Sequence, residues 1–429
     1  MTNQELVATI EAIWRIESAR VVAGLARLTH DLGLAEDFAQ DALVAALETW
    51  PSTGIPDNPG AWLMATAKRR ALDRLRHQSM AASKHVELAR ELDARHALFE
   101  QALTERIDAT LDGDIDDDVL RLLFTACHPV LSPDARAALT LKVVGGLTTE
   151  EIARAYLKSE PTIAQRIVRA KRTLTEAHVP FEVPRGAALT PRLASVLQII
   201  YLIFNEGYAA TAGDDWMRPT LCDEALRLGR ALAELMPQAS EVHGLAALME
   251  IQASRLPARV DANGDPILLP DQDRSHWDHL LIRRGLAALA RAEALPGAFG
   301  PYTLQAAIAA CHARAATLED TDWPRITALY DALAVIAPSP VITLNRAVAV
   351  GMAFGPAAGL ELVDGLLAEP TLAHYHLLPS VRGDLLARLD RIPEARAEFE
   401  RAATLTRNGR ERALLLARAA ACTVKRRRP

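Results

Sequence analysis

The chain has 429 residues, half of them apolar, which is enough to bury several cores and excludes general disorder. Aromatic residues make up only 5%, so Leu, Ala, Ile and Val must fill those cores, a mix that favours helices over sheets. With 48 Lys and Arg against 54 Asp and Glu, the net charge of −6 excludes a globally basic nucleic-acid coat, and any such binding must come from local patches.

The start, Met1-Thr2-Asn3-Gln4-Glu5, has neither the basic opening nor the apolar core of a signal peptide, and a cytoplasmic chain is expected. Val21, Leu25 and Leu28 share one helical stripe, and Phe38, Ala42, Ala45 and Ala46 share another. From Asp31 to Asp57 there are six acids and no Lys or Arg. Pro51, Gly54, Pro56, Pro59 and Gly60 break the chain, and a helix begins near Ala61 with the opposite sign. It carries Lys68, Arg69, Arg70, Arg74 and Arg76 against Asp73, over an expected core stripe of Met64, Ala67, Ala71, Leu72 and Leu75. Residues 78–118 read as a polar, partly helical linker whose end, Asp108 to Asp118, holds six Asp and no base.

The sharpest local signal runs from Leu147 to Leu174. Thr148 or Thr149 can cap a short helix that buries Ile152, Ala153 and Tyr156. After a turn at Leu157-Lys158-Ser159, Ser159 can cap a second helix with Pro161 in its first turn. That helix aligns Ile163, Ile167, Ala170 and Leu174 on one stripe and turns a basic face outward, the pattern of a helix-turn-helix. Its first turns place Glu160, Thr162, Gln165 and Arg166 to reach base edges, with Arg169, Lys171 and Arg172 for phosphates. A basic solvated helix in an ordinary bundle is the alternative from this segment alone.

A second break, Val179-Pro180-Phe181-Glu182-Val183-Pro184, is the expected domain boundary. The apolar run Ala194–Phe204 beyond it is 11 residues, too short to span a bilayer. Leu344–Gly351 and Val381–Arg388 form a weak repeat at a spacing of 37, each followed by a proline turn and a helix. A tetratricopeptide-like solenoid over about 300–429 or a generic helical array both fit. Cys127, Cys222, Cys311 and Cys422 never form a Cys-x-x-Cys pair, and no phosphate loop occurs. His276 and His279 lack further ligands, and Glu206, Asp214 and Asp215 read as caps sooner than as catalytic carboxylates. No metal, no cofactor and no catalytic residue is expected.

These residues together resemble a family. Ile10 to Leu174 is similar to a sigma factor of the extracytoplasmic-function type, the bacterial RNA polymerase subunit that selects promoters. The resemblance implies that Glu36, Asp37, Gln40 and Asp41 form the helix that docks on a basic coiled coil of the β′ subunit. It implies that Trp62, Lys68, Arg69, Arg70, Arg74 and Arg76 handle the −10 promoter element, Trp62 as a stacking platform or as core. It assigns Glu160, Thr162, Gln165, Arg166, Arg169, Lys171 and Arg172 to the −35 element. The acidic linker would then lie near the polymerase RNA path, or simply be solvated. Two positions depart from the family pattern: Leu157 replaces a turn glycine, and Ala164 a common basic residue. Phe204-Asn205-Glu206-Gly207-Tyr208 and Asp271-Gln272-Asp273-Arg274-Ser275-x-Trp277 resemble a subgroup with a tetratricopeptide-like C-terminal extension.

The expected architecture is all-α. A core-binding and −10 domain covers 1–80, an acidic linker 81–115, a helix-turn-helix domain 116–179 and a helical extension 180–429. The extension is expected to regulate the promoter-reading domains or to bind a protein partner, with core RNA polymerase and promoter DNA as the other partners and no membrane. Two rival readings are a stand-alone helix-turn-helix regulator with a repeat-type sensor, which leaves the Asp37 helix unexplained, and an interaction scaffold with no DNA affinity.

Overall fold

A computed structural model describes residues 3–29, 31–83, 115–297 and 299–424, with side chains throughout except at 3–4, 75–83, 115–117 and 423–424. The side chains of Leu75 and Arg76, the linker at 84–114 and the tail Lys425–Arg428 lie outside the described residues. The described chain is helical, without a strand, and divides into two units, 1–199 and 200–429.

The first unit comprises α1 (Asn3–Thr29), α2 (Leu32–Thr53), α3 (Pro59–Ser83), α4 (Ile115–Ala126), α5 (Pro133–Val143), α6 (Thr149–Ala155), α7 (Glu160–Glu176) and the start of α8 (Leu189–Tyr208). Short polar side chains start these helices. Asp31 accepts from the Leu34 amide at 3.0 Å to open α2, and Asn58 accepts from the Ala61 amide at 3.0 Å to open α3. α2 runs through Pro51 and stops at Gly54, whose φ of 84° suits a residue without a Cβ.

The core of this unit follows the expected stripes with one shift. Val21, Leu25, Phe38, Ala42, Ala46 and Trp50 are buried, and Leu28 and Ala45 are half-buried. On α3 the stripe is Leu63, Ala67 and Ala71, while Met64 and Leu72 are half-buried. The expectation missed Leu63 because a helix packed by two neighbours, α1 and α2, buries more than one narrow row. Each such Leu-sized burial contributes about 1.5–3 kcal/mol.

Asp118, the last acid of the expected solvated run, is buried. It pairs with Arg121 at 2.6 Å and with Arg27 of α1 at 3.3 Å, so this end of the run joins two helices. Farther on, the Arg192 guanidinium donates to the Phe124 carbonyl at 2.7 Å, and Ser195 donates to the Cys127 carbonyl at 2.6 Å. These bonds fasten the first turns of α8 to the end of α4. The stretch Gly186–Tyr208 is long and apolar enough to cross a membrane by length and composition, yet Val196, Ile199, Ile200, Ile203 and Phe204 are buried in the protein.

The second unit continues from α8 through α9 (Pro219–Leu235), α10 (Ser240–Ala253), α11 (His279–Ala294), α12 (Pro301–Arg314), α13 (Trp323–Ile336), α14 (Pro340–Ala353), α15 (Pro356–Asp364), α16 (Leu377–Arg388), α17 (Ile392–Leu405) and α18 (Gly409–Val424). From α12 onward each helix packs on the next. The repeat seen in the sequence corresponds to the pairs α14–α15 and α16–α17. α14 and α15 cross closely enough that a Cβ on Gly359 would meet the Ala347 carbonyl oxygen at 2.7 Å. Late and early parts of the unit also meet: the buried Asn408 amide donates to the carbonyls of Ala210 at 3.1 Å and Asp215 at 2.8 Å. Arg410 pairs with Asp265 at 2.6 Å close by in sequence.

Candidate nucleic-acid and protein interface

Consecutive acids on α2 have different surroundings. Asp37 and Asp41, one turn apart, are exposed together with Glu48 and the apolar Val44 and Leu47, while Gln40 is half-buried. Glu36 points elsewhere. One residue is about 100° of helix rotation, and this carries Glu36 into the protein, where it forms ion pairs with Lys142 of α5 at 3.7 Å and with Lys171 of α7. The expectation that the entire Glu36–Asp41 run faces solvent or a foreign protein is therefore corrected at Glu36. The same contact corrects Lys171: only 16% of its side chain is exposed, and its ammonium meets a carboxylate instead of lying open to a phosphate.

α3 presents the opposite charge. Arg69 and Arg74 are exposed and make no ion pair among the described residues. Lys68 and Arg70 are half-buried, with Arg70 3.5 Å from Asp41 of α2. Trp62 is half-buried and meets the buried Trp50 edge-on, with ring centroids 5.2 Å apart, so it belongs partly to the core.

The helix-turn-helix is built from its caps. The Thr148 hydroxyl accepts from the Glu151 amide at 3.1 Å, and the Glu151 carboxylate accepts from the Thr148 amide at 2.8 Å. Ile152 and Ala153 are buried and Tyr156 is half-buried. The turn passes through Leu157 at φ 48°, the left-handed region that a side chain penalises by about 1–2 kcal/mol. Ser159 stands at the N-cap of α7, but its hydroxyl bonds to that of Thr162 at 2.7 Å and caps no amide.

On α7 the stripe Ile163, Ile167, Ala170 and Leu174 is buried, and Glu160, Thr162, Gln165, Arg169 and Arg172 are exposed. Arg166 is half-buried and lies 3.4 Å from Asp134 of α5. Arg172 donates to Glu176 at 2.6 Å, and this hydrogen bond holds its guanidinium above the usual range. A surface groove of about 370 Å³ runs between the Val130–Ala135 segment and α7, lined by Thr162, Gln165, Arg166 and Arg169.

Other candidates have structural partners. Burial pushes the Cys127 thiol up to about 11, so it stays protonated, and it contacts the Thr140 hydroxyl at 3.3 Å. His128 accepts from the Val130 amide at 3.1 Å. His276 pairs with Asp273 at 3.1 Å, and Glu206 pairs with Arg218 and accepts from the Thr211 hydroxyl at 2.9 Å. Among the described residues no three His, Cys, Asp or Glu are gathered as a metal cluster.

Comparison with known proteins bears on these surfaces. Three family models match: Sigma-70 region 2 over residues 15–80, Sigma-70, region 4 over 121–174, and a Family of unknown function (DUF6596) over 192–293. An uncharacterized protein of Rhizobium meliloti (strain 1021), R00370, is 44% identical over 399 residues, 92% of each chain. The probable ECF RNA polymerase sigma factor SigI of Mycobacterium tuberculosis (strain CDC 1551 / Oshkosh) is 28% identical over 170 residues, 40% of this chain and 56% of SigI. The ECF RNA polymerase sigma factor SigK of Mycobacterium ulcerans (strain Agy99) is 28% identical over 159 residues, 36% of this chain and 78% of SigK. The chain belongs to the extracytoplasmic-function sigma factors of the sigma-70 family.

As a sigma factor it is a transcription initiation factor whose partners are core RNA polymerase and promoter DNA, and it carries a C-terminal helical extension. α2 and most of α3 fall within region 2, and α5, α6 and most of α7 within region 4. The sigma factor holds these regions together through charges. Besides Glu36 with Lys142 and Lys171, Arg15 of α1 pairs with Glu151 of the capping box, and Arg27 pairs with Asp118 on α4, just ahead of region 4. Sequence reasoning missed Arg15, Arg27, Lys142 and Glu151 in this role, because each partner lies at least 90 residues away and no local pattern marks it.

Proposed function

We propose that this sigma factor docks on a basic coiled coil of the β′ subunit through Asp37 and Asp41, with Gln40 beside them, and then reads a two-part promoter. Arg69 and Arg74, assisted by Lys68, Arg70 and Arg76, lie along the −10 element, and the open side of Trp62 receives an unstacked base, a contact contributing about 1–3 kcal/mol. Glu160, Thr162, Gln165 and Arg166 meet base edges of the −35 element, while Arg169 and Arg172 hold phosphates. Lys171 joins them once Glu36 releases it, so promoter engagement separates the two regions. Glu36 then becomes free to complete the acidic face of α2. The observation that carries this reading is the segregation of exposed charge: acids on the outer side of α2, bases on the outer sides of α3 and α7, each opposite a buried stripe.

The sigma factor catalyses no reaction of its own and works in the cytoplasm. Its C-terminal extension, whose later helices form a tetratricopeptide-like array, regulates promoter use or receives a protein partner. Reconstituted transcription with core polymerase and a promoter library tests the whole. Selective initiation that is lost on charge reversal of Asp37 and Asp41 is expected. Failure of the full chain to associate with core polymerase would overturn the reading. Deleting residues after Pro180 tests the extension, which is expected to change initiation from the same promoters, and unchanged transcription would overturn its regulatory role.

A further inference from the structure

Within the second unit, helices α8, α10, α12, α13 and α14 and the loop before α11 line a half-open cavity of about 230 Å³. At the roughly 30 Å³ that a water molecule occupies in the liquid, this is the space of about eight waters, on the scale of a small organic molecule. Leu248, Ile251 and Ile308 give it an apolar wall, and the remaining lining includes Arg255, Trp277, His312, Tyr330, Asn345 and Gln252. No carboxylate lines it.

Three polar atoms of its lining residues lack protein partners. The Trp277 indole N–H, His312 Nδ1 and Gln252 Oε1 are each buried with no hydrogen bond among the described residues, and the Trp277 side chain is only 4% exposed. Native proteins leave few such atoms, and all three belong to residues that line this one cavity. Arg255 adds a charge. Its Nε donates to Gln272 at 3.1 Å and its guanidinium lies 5.5 Å from the Trp277 ring centroid, but no ion pair with a carboxylate is formed among the described residues. Burial holds that guanidinium below its ordinary range, with Arg259 and Arg274 adding to the effect. Arg274 differs: it is pinned to the carbonyls of His312 at 2.7 Å and Ala315 at 2.6 Å. Arg255 is half-buried, and a partly desolvated cation without a counter-charge gains from an anion placed in the cavity.

We propose that this cavity binds a small organic molecule with an oxyanion head, a carboxylate or a phosphate, and a flat or apolar body. The head meets Arg255 and the Trp277 N–H, and the body lies against Leu248, Ile251 and Ile308. A hydroxyl on the body donates to Gln252 Oε1. A zwitterionic amino acid is disfavoured, since no carboxylate lines the cavity to receive its ammonium. Because its walls come from five helices, the occupant tightens the unit as it binds. The ligand class follows from the cavity alone and does not depend on which promoter surface is used.

The test uses the full chain with 4-hydroxybenzoate, its neutral amide and inorganic phosphate, reading melting temperature and tryptophan fluorescence. Protein purified from cells is also denatured and its released small molecules are identified by mass. A rise in melting temperature with 4-hydroxybenzoate but not the amide is expected. So is an affinity about tenfold or more weaker in Arg255→Met and several-fold weaker in Trp277→Phe, which keeps the ring and removes the donor. Stabilisation by phosphate alone assigns the head to phosphate and still supports the site. If neither anion binds and no acid or phosphate compound is released, the cavity holds solvent only and the proposal fails. Equal binding by wild type and Trp277→Phe, with Arg255→Met folded and equally competent, also overturns it.

Discussion

The two units bury charge in different ways. Glu36 is buried against two lysines from other helices, so its surroundings neutralise it and the contact joins region 2 to region 4. Arg255 is half-buried beside neutral polar groups, and His312 near it is held neutral, with its pKa lowered to about 4 by burial and by Arg255 and Arg274. The first arrangement is complete within the chain and serves as a joint. The second is incomplete and serves as a receptor. Buried ionic contacts thus have two uses, and the decisive observation is whether the counter-charge is already present.

The largest effect should come from the exposed acids beside Glu36. Asp37→Arg with Asp41→Arg is expected to weaken core polymerase association by about a thousandfold or more, since like charges placed across an interface cost several kcal/mol. Circular dichroism should remain unchanged, and retained association in a pull-down would mean that these exposed acids are not the docking surface.

His312 gives the next largest effect, and it belongs to the second unit alone. Its folded pKa lies below the unfolded value of about 6.5, so the unfolded chain takes up the proton first. Stability is full above pH 6.5 and falls as the pH drops toward 4, by up to about 3 kcal/mol. Urea titrations across that window should show the loss, and His312→Phe should flatten it. A smaller change is expected for Glu36→Ala, which leaves Lys142 and Lys171 facing each other. Both lysines retain some solvent, so the destabilisation should be about 2 kcal/mol in denaturant unfolding of the first unit. An unchanged midpoint would show that the joint contributes nothing. The smallest effect is Leu157→Gly, expected to stabilise by about 1 kcal/mol or less through relief of the left-handed turn. A lower melting temperature for that variant would contradict it.

The legible features are those written at short range. The stripe Ile163, Ile167, Ala170 and Leu174 repeats at three and four residues, so the helix and the turn before it could be placed from sequence, whereas the first cap stayed open between Thr148 and Thr149 and Ser159 caps no amide. The departure at Leu157 was visible too, but only the φ of 48° explains why glycine suits that position. Glu36 was misjudged because its neighbours in sequence are acids, whereas its neighbours in space come from positions 142 and 171. Leu63 escaped the α3 stripe for a similar reason, having two helices against it in place of one. The cavity around Arg255 could not be read at all. Its lining is spread from Tyr201 to Asn345, and no two of the orphaned atoms stand close enough in sequence to form a motif.

Asn408 has a consequence for how the second unit tolerates shortening. An open array of repeats can lose its terminal helix and keep the remainder, because each repeat answers only to its neighbours. Here the residue just before the final helix satisfies two carbonyls almost 200 positions earlier, so the array is buckled from end to beginning like a belt. Trimming the chain before Asn408 would open that buckle, and the 210–215 loop would unravel together with the missing tail.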